Sequence, residues 1–198
     1  MKAAETTKLK RVIQWAWMGW EQWFERFSRA RSLYSGEYGI CKMYVNKYHG
    51  PSISCQDGTW IHTGDWIGEL HLDNRLILEM LRTYDDNQVA LRVARLARGS
   101  MRQICAEMRT LPQLSQVKAL QGITLLHRGI THGMGFETYP LKQGTFRSLT
   151  TYYLRLLLTV FHPRNGNRIG PHAEKLVPLR LVMSRDALIE RFSPAKTA

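Results

Sequence analysis

Cysteine patterns that would staple or metallate the chain are missing. Cys41, Cys55 and Cys105 are odd in number and widely spaced, with no Cys-x-x-Cys pair. That excludes a disulfide framework or a zinc finger and favours a reducing compartment. Long apolar runs are missing too. The longest, Tyr152 to Phe161, contains Arg155 and is too short to cross a bilayer. Charges interrupt the N-terminal segment throughout, so no signal-peptide core stands out. No Gly-x-Gly-x-x-Gly opens a helix, and Walker A, Gly-x-Ser-x-Gly and His-Glu-x-x-His are absent. These absences leave no cofactor to expect. Acidic residues are the scarce charge, with 16 Asp and Glu against 28 Lys and Arg and a formal net charge of +12. A chain so basic is drawn to polyanions: nucleic acid, an anionic membrane face or phosphorylated ligands. The expected setting is cytoplasmic, at the inner face of the membrane.

What is present reads as one α+β domain, a small and mostly antiparallel sheet packed with amphipathic helices. At 198 residues the chain can bury a real core. Residues 1–35 form a Trp-rich basic segment, with a helical apolar period from Leu9 to Tyr34. Trp15, Trp17, Trp20 and Trp23 crowd it, flanked by Lys and Arg, a combination that suits a helix lying in a membrane interface. Residues 36–198 form the body. Tyr38 to Tyr48 alternates as a strand, and Asp57-Gly58 between Ser52–Cys55 and Thr59–His62 signals a type I′ hairpin. Trp66 to Leu72 is the next strand. Helical periods follow over residues 76–84 and 89–108, the second carrying Arg95, Arg98, Arg102 and Arg109 on one face. Val117 to Gly122 reads as a turn or short helix. Ile123 to His127 and Phe136 to Tyr139 read as an antiparallel pair, and Thr145 to Phe161 as an amphipathic helix. Leu176 to Met183 is a last strand, placed at an edge by Pro178, before a helix capped by Ser184.

The strand Trp66–Leu72 is the focus of the chemistry. Alternation sends Trp66, Gly68, Leu70 and Leu72 to one face and Ile67, Glu69, His71 and Asp73 to the other. Two carboxylates beside an imidazole can orient a general base or contribute to a metal site, although no metal ligand set is assigned. Asp73 or Asn74 can instead cap the following helix.

Several stretches resemble a known family. Gly68-Glu-Leu-His-Leu-Asp-Asn74, Lys118-Ala-Leu-Gln-Gly-Ile-Thr-Leu-Leu-His-Arg-Gly129, Gly135-Phe136, Tyr153-Leu-Arg155, His162-Pro163 and the Leu176-to-Ser184 strand are similar to the bacterial YkoP-like domains. The resemblance implies little chemistry of its own. Related domains accompany polysaccharide deacetylases in some bacterial chains, which associates the family with cell-envelope glycan or lipid metabolism. The deacetylase metal motif is not here, so Asp85-Asp86 is no such site.

Three readings follow. In the first, Trp17, Trp20, Arg95, Arg98 and Arg102 seat the domain on an anionic lipid surface, and a polar pocket binds a phosphorylated or glycan ligand through Asn74, His127, Arg128 and Arg155. In the second, Glu69, His71 and Asp73 are the catalytic groups of a hydrolase or transferase, with Arg128 stabilising negative charge. The third, nucleic-acid binding, rests on charge alone and is not favoured. Oligomeric state is not legible.

Overall fold

The computed structural model describes residues 19, 22–23, 25–124, 133–141 and 179–194. The chain forms one α+β domain built on a six-stranded sheet of order β1-β2-β5-β6-β8-β7, with β3 and β4 in a separate two-stranded sheet. The strands are β1 (Tyr34–Tyr38), β2 (Cys41–Lys47), β3 (Ile53–Ser54), β4 (Trp60–Ile61), β5 (Trp66–Leu72), β6 (Val117–Thr124), β7 (Glu137–Pro140) and β8 (Leu179–Ser184). Residues 25–31 are helical (α1). The remaining helices are α2 (Asn74–Thr83), α3 (Asp86–Thr110) and α4 (Arg185–Phe192).

All pairs in the large sheet are antiparallel except β5 with β6. A parallel pair needs a crossover, and α2 with α3 supplies it. Asp73 starts that crossover by capping α2, its carboxylate accepting from the backbone N–H of Arg75 (2.9 Å) and Leu76 (3.2 Å). Asp85 caps α3 in the same way through Gln88. At the far end, Arg185 donates to the carbonyls of Met108 and Leu114, tying α4 to the exit of α3.

Helices α2, α3 and α4 lie on one face of the sheet. Cys41, Met43, Val45 and Leu120 pack there against Val93, Met101, Ile104, Met108 and Leu188, with Leu70 and Leu72 alongside. On the opposite face Ile67, Ala119 and Val182 pack with Tyr48 and with Ile53 and Ile61 of the small hairpin.

The register departs from the sequence expectations at four places. The N-terminal helix does not continue to Tyr34; the chain turns into β1, and Gly39 (φ 59) takes the positive-φ first position that a tight Gly-x hairpin requires. The long strand expected from Tyr38 is therefore two. Val117 begins a central strand, not a turn or helix. Val117, Ala119 and Leu120 are all buried because both faces of β6 are covered, and that erases the alternation that marks half-exposed strands. Phe136 to Tyr139 contributes β7, which pairs with β8, so β8 is interior and not an edge. Finally, Asp57-Gly58 lies in a hairpin but not in a type I′ turn. Only Gly58 (φ 86) has positive φ, and Asp57 bends the loop by accepting from Thr59 N–H (2.9 Å).

Gly68, at the middle of β5, fixes the spacing of this architecture. A Cβ there would lie 2.7 Å from Leu120 Cδ2 and 2.9 Å from Met43 Sδ, both in the buried helix-side core. Gly68→Val is expected to destabilise the fold by about 1–3 kcal/mol through overpacking. Urea denaturation checks this, and an unchanged midpoint would show that the two side chains can move aside.

Candidate functional site

The face of the sheet turned away from α3 carries a polar row. On β5, Glu69 and His71 alternate with Leu70 and Leu72, which pack on the helix side. Antiparallel pairing sets Tyr44 opposite Glu69 and Lys42 opposite His71, and parallel pairing sets Gln121 on the other side of Glu69. Arg180 on β8 lies opposite both Ile123 and Tyr139. Residues from five strands thus share one surface: Lys42, Tyr44 and Asn46, Glu69 and His71, Gln121, Arg180, and Tyr139.

Each carboxylate has a partner. Glu69 accepts a hydrogen bond from Asn46 Nδ2 at 3.0 Å. Asp73, just past the end of β5, caps α2 and lies 3.4 Å from Lys42 Nζ, which also pairs with Glu25 on α1. Arg29 of α1 pairs with Glu37 of β1 at 2.7 Å, so α1 is tied to this end of the sheet by two ion pairs. His71 meets the ring of Tyr44 edge-on, with centroids 5.5 Å apart. Burial, and then the neighbouring Lys42 charge, push its imidazole down to about 4. Burial disfavours the charged ring and the ammonium repels it. His71 is therefore neutral across the physiological range.

The sequence-based candidates separate accordingly. Glu69 and His71 do share a face. Asp73 is occupied as a helix cap, and Asn74 is the first residue of α2. Among the described residues, no group of three His, Cys, Asp or Glu side chains could hold a metal ion. His127, Arg128 and Arg155, offered as ligand-binding groups, and Trp17 and Trp20, offered as membrane contacts, lie outside the described residues.

One cation on this face was missed from the sequence. Arg180 donates from Nη1 to the Tyr48 hydroxyl at 2.6 Å, and its guanidinium carbon stands 5.6 Å from the Tyr48 ring centroid. Among the described residues, its Nε is buried without a hydrogen-bond partner. The signal is present in the alternation of Arg180 with Leu181, which puts Arg180 on the same face as Val182.

The other chemically suggestive groups are quiet. Burial pushes the Cys41 and Cys55 thiols up to about 11, which keeps both protonated and poorly nucleophilic. Tyr34 and Tyr38 both donate to Glu107 Oε2, a half-buried link that ties β1 to α3. Arg95, Arg98 and Arg102 lie on the exposed side of α3, opposite the buried Val93, Ala97 and Met101.

The sequence pattern of the YkoP domain matches residues 10–192. The chain belongs to the YkoP domain family. The match begins inside the Trp-rich N-terminal segment and runs through α4, so the sheet, the crossover helices and the polar face all lie within the YkoP domain. No curated protein and no solved structure matches the chain. Among the described residues, no helix of this YkoP domain is long and apolar enough to cross a membrane.

The depressed His71 fixes the sign of a pH effect. A group whose folded pKa lies below its unfolded value contributes stability that is present above the unfolded pKa, 6.5, and is lost as pH falls toward about 4. Between about pH 7.5 and about pH 5, His71 is expected to account for about 2 kcal/mol of lost stability. Urea titrations of wild type and His71→Gln at the two pH values isolate it, since the variant lacks that share of the slope. Parallel losses in both proteins would mean that His71 is not the group responsible.

Proposed function

We propose that this YkoP domain is a peripheral binding module that docks on an anionic membrane surface through the outer face of α3, at the cytoplasmic side. The observation that carries the reading is the composition of that face. Leu91, Arg95, Arg98, Arg102 and Arg109 recur at helical spacing, and all five are exposed, Leu91 to 72%. From Leu91 to Arg109 the stripe is about 27 Å long at 1.5 Å per residue. Over this span the helix has one acid, Glu107, and it is turned inward to Tyr34 and Tyr38. Among the described residues, Arg95, Arg98 and Arg102 make no ion pair with a carboxylate. A solvated helix usually mixes signs along its face; a stripe of one sign with an exposed Leu suits lipid phosphates above an apolar layer.

A second exposed surface, on the other side of the sheet from α3, has interfacial character too. Trp23 (55% exposed), just before α1, stacks on Phe27 of α1 (44% exposed) with centroids 5.4 Å apart, and the Arg31 guanidinium sits 5.1 Å from the Phe27 centroid. Exposed aromatics backed by a guanidinium are the residues an interfacial helix uses. Three free, buried cysteines agree with a reducing compartment. Within the family's association with cell-envelope metabolism, a module docked through α3 would leave its polar sheet face turned away from the bilayer, open to a phosphorylated or glycan ligand on the cytoplasmic side. Acid–base catalysis is the weaker alternative, because a neutral imidazole with a pKa near 4 is a poor base and a negligible acid at neutral pH.

Vesicle co-sedimentation tests the proposal. The protein is expected to pellet with phosphatidylglycerol-containing vesicles and not with neutral phosphatidylcholine, and to be released by salt. Replacing Arg95 and Arg102 with Ala removes two cations worth about 1 kcal/mol each, a loss of about 30-fold in partitioning. Equal recovery on neutral vesicles, an unchanged double variant, or tighter salt-sensitive binding to duplex DNA than to vesicles would overturn it.

A further inference from the structure

A cleft of about 340 Å³ lies at the start of β6, lined by Thr59, Trp60, Ser115, Gln116, Lys118 and Asp186 among others. It is at the small end of the range for ligand pockets. Its walls are held in place. Asp57, in the hairpin loop, accepts a hydrogen bond from the Ser184 hydroxyl, and the same hydroxyl caps α4 by accepting from Ala187 N–H at 3.0 Å. Arg185, the next residue, also lines the cleft and donates to the carbonyls of Met108 and Leu114.

Trp60 is the feature that folding alone leaves unexplained. It is 53% exposed, yet its indole stacks on His62 with centroids 5.8 Å apart and planes 8° from parallel. Scattered exposed hydrophobics are ordinary, but this ring is held flat at the rim of a concavity lined with hydroxyl, amide and carboxylate groups. With one indole face against His62, the rest of the ring is what the cleft presents.

Charge narrows the ligand. Lys118 Nζ lies 3.0 Å from Asp65, Arg185 is engaged by backbone carbonyls, and Asp186 adds a carboxylate. The two cations here, Lys118 and Arg185, are matched in number by Asp65 and Asp186, so an anion entering meets no surplus of positive charge, unlike on the α3 stripe. An uncharged ring with a flat C–H face and a rim of hydroxyls fits better. The negative π face of an indole attracts polarised C–H bonds, while the Gln116 amide and the Asp186 carboxylate supply donor and acceptors for hydroxyls. From this geometry we infer that the cleft is a subsite for one uncharged pyranose unit of a glycan, with Trp60 as its stacking platform. The inference rests on residues separate from α3 and does not depend on membrane docking.

Isothermal titration of the full chain with two neutral oligosaccharides, cellohexaose and chitohexaose, tests it, with AMP as the charged, stacking-competent control. The expected result is binding of at least one sugar in the millimolar range, weakened about tenfold or more in Trp60→Ala and largely kept in Trp60→Phe, with AMP much weaker. Gln116→Ala, on an exposed turn, should also weaken the sugar and gives a reading even if Trp60→Ala folds poorly. Vesicle binding by Trp60→Phe and Gln116→Ala should be unchanged, which separates this outcome from failure of the docking proposal. No binding of either sugar up to about 10 mM, affinity insensitive to Trp60 and Gln116, or AMP binding as tightly as the sugars would overturn the inference.

Discussion

Close contact over Gly68 is the constraint on which the rest of the domain depends. With no side chain at the centre of β5, Met43 from β2 and Leu120 from β6 close over the strand and form the floor on which α3 lies. That contact fixes which face of β5 looks toward the helices, since a one-residue slip would send every side chain to the opposite face. Leu70 and Leu72 must then point to the helices. Glu69 and His71 have no choice but to join Lys42, Tyr44 and Asn46 on the other face. The polar row is a consequence of how the apolar face is packed.

The same logic separates what the sequence disclosed from what it hid. The face assignment on β5, the Asp73 and Ser184 caps, and helices α2, α3 and α4 were legible, because alternation and capping are local signals; the helix expected over Thr145 to Phe161 lies outside the described residues. The parallel pairing of β5 with β6 was not. β6 is covered on both faces, so Val117, Ala119 and Leu120 show no period, and the partner choice of a strand is set by contacts more than forty residues away along the chain. The β1–β2 turn was missed for a different reason. Gly39 alone carries the signal, inside a stretch from Tyr38 to Tyr48 whose alternation reads as continuous. The type I′ expectation at Asp57-Gly58 failed because Asp57 satisfies the loop with its side chain instead of adopting positive φ. Arg180 was overlooked although the pattern of β8 placed it with Val182 on the polar face.

Basic charge is distributed unevenly over the molecule, and the unevenness carries more information than the net value of +12. Lys42 and Lys118 are each paired with carboxylates, and Arg185 serves backbone carbonyls. Arg92 lies over the ring of Tyr84 at 3.8 Å. All four hold elements together, and the two lysines, offset by carboxylates, contribute little attraction at a distance. Arg95 and Arg102 on α3 have no such structural employment among the described residues, and Arg98 only donates to the Gly133 carbonyl at 3.1 Å, a bond that leaves its charge uncompensated. Long-range attraction comes from uncompensated charge, so α3 is where a polyanion should be felt first.

The electrostatics of His71 bear on the choice between binding and catalysis. A general base works best with a pKa near the working pH, and one common way to raise a histidine toward that value is a carboxylate at hydrogen-bond distance. On this face the carboxylates are otherwise engaged: Glu69 accepts from Asn46, and Asp73 caps α2 and pairs with Lys42. What stands opposite His71 across the β2–β5 pairing is an ammonium, which pushes the imidazole the wrong way for proton abstraction. The arrangement keeps the ring neutral and able to both donate and accept a hydrogen bond. A surface with one neutral imidazole, an amide on either side of Glu69, and Arg180 with an Nε unsatisfied among the described residues is better suited to recognising a polar ligand than to moving its protons.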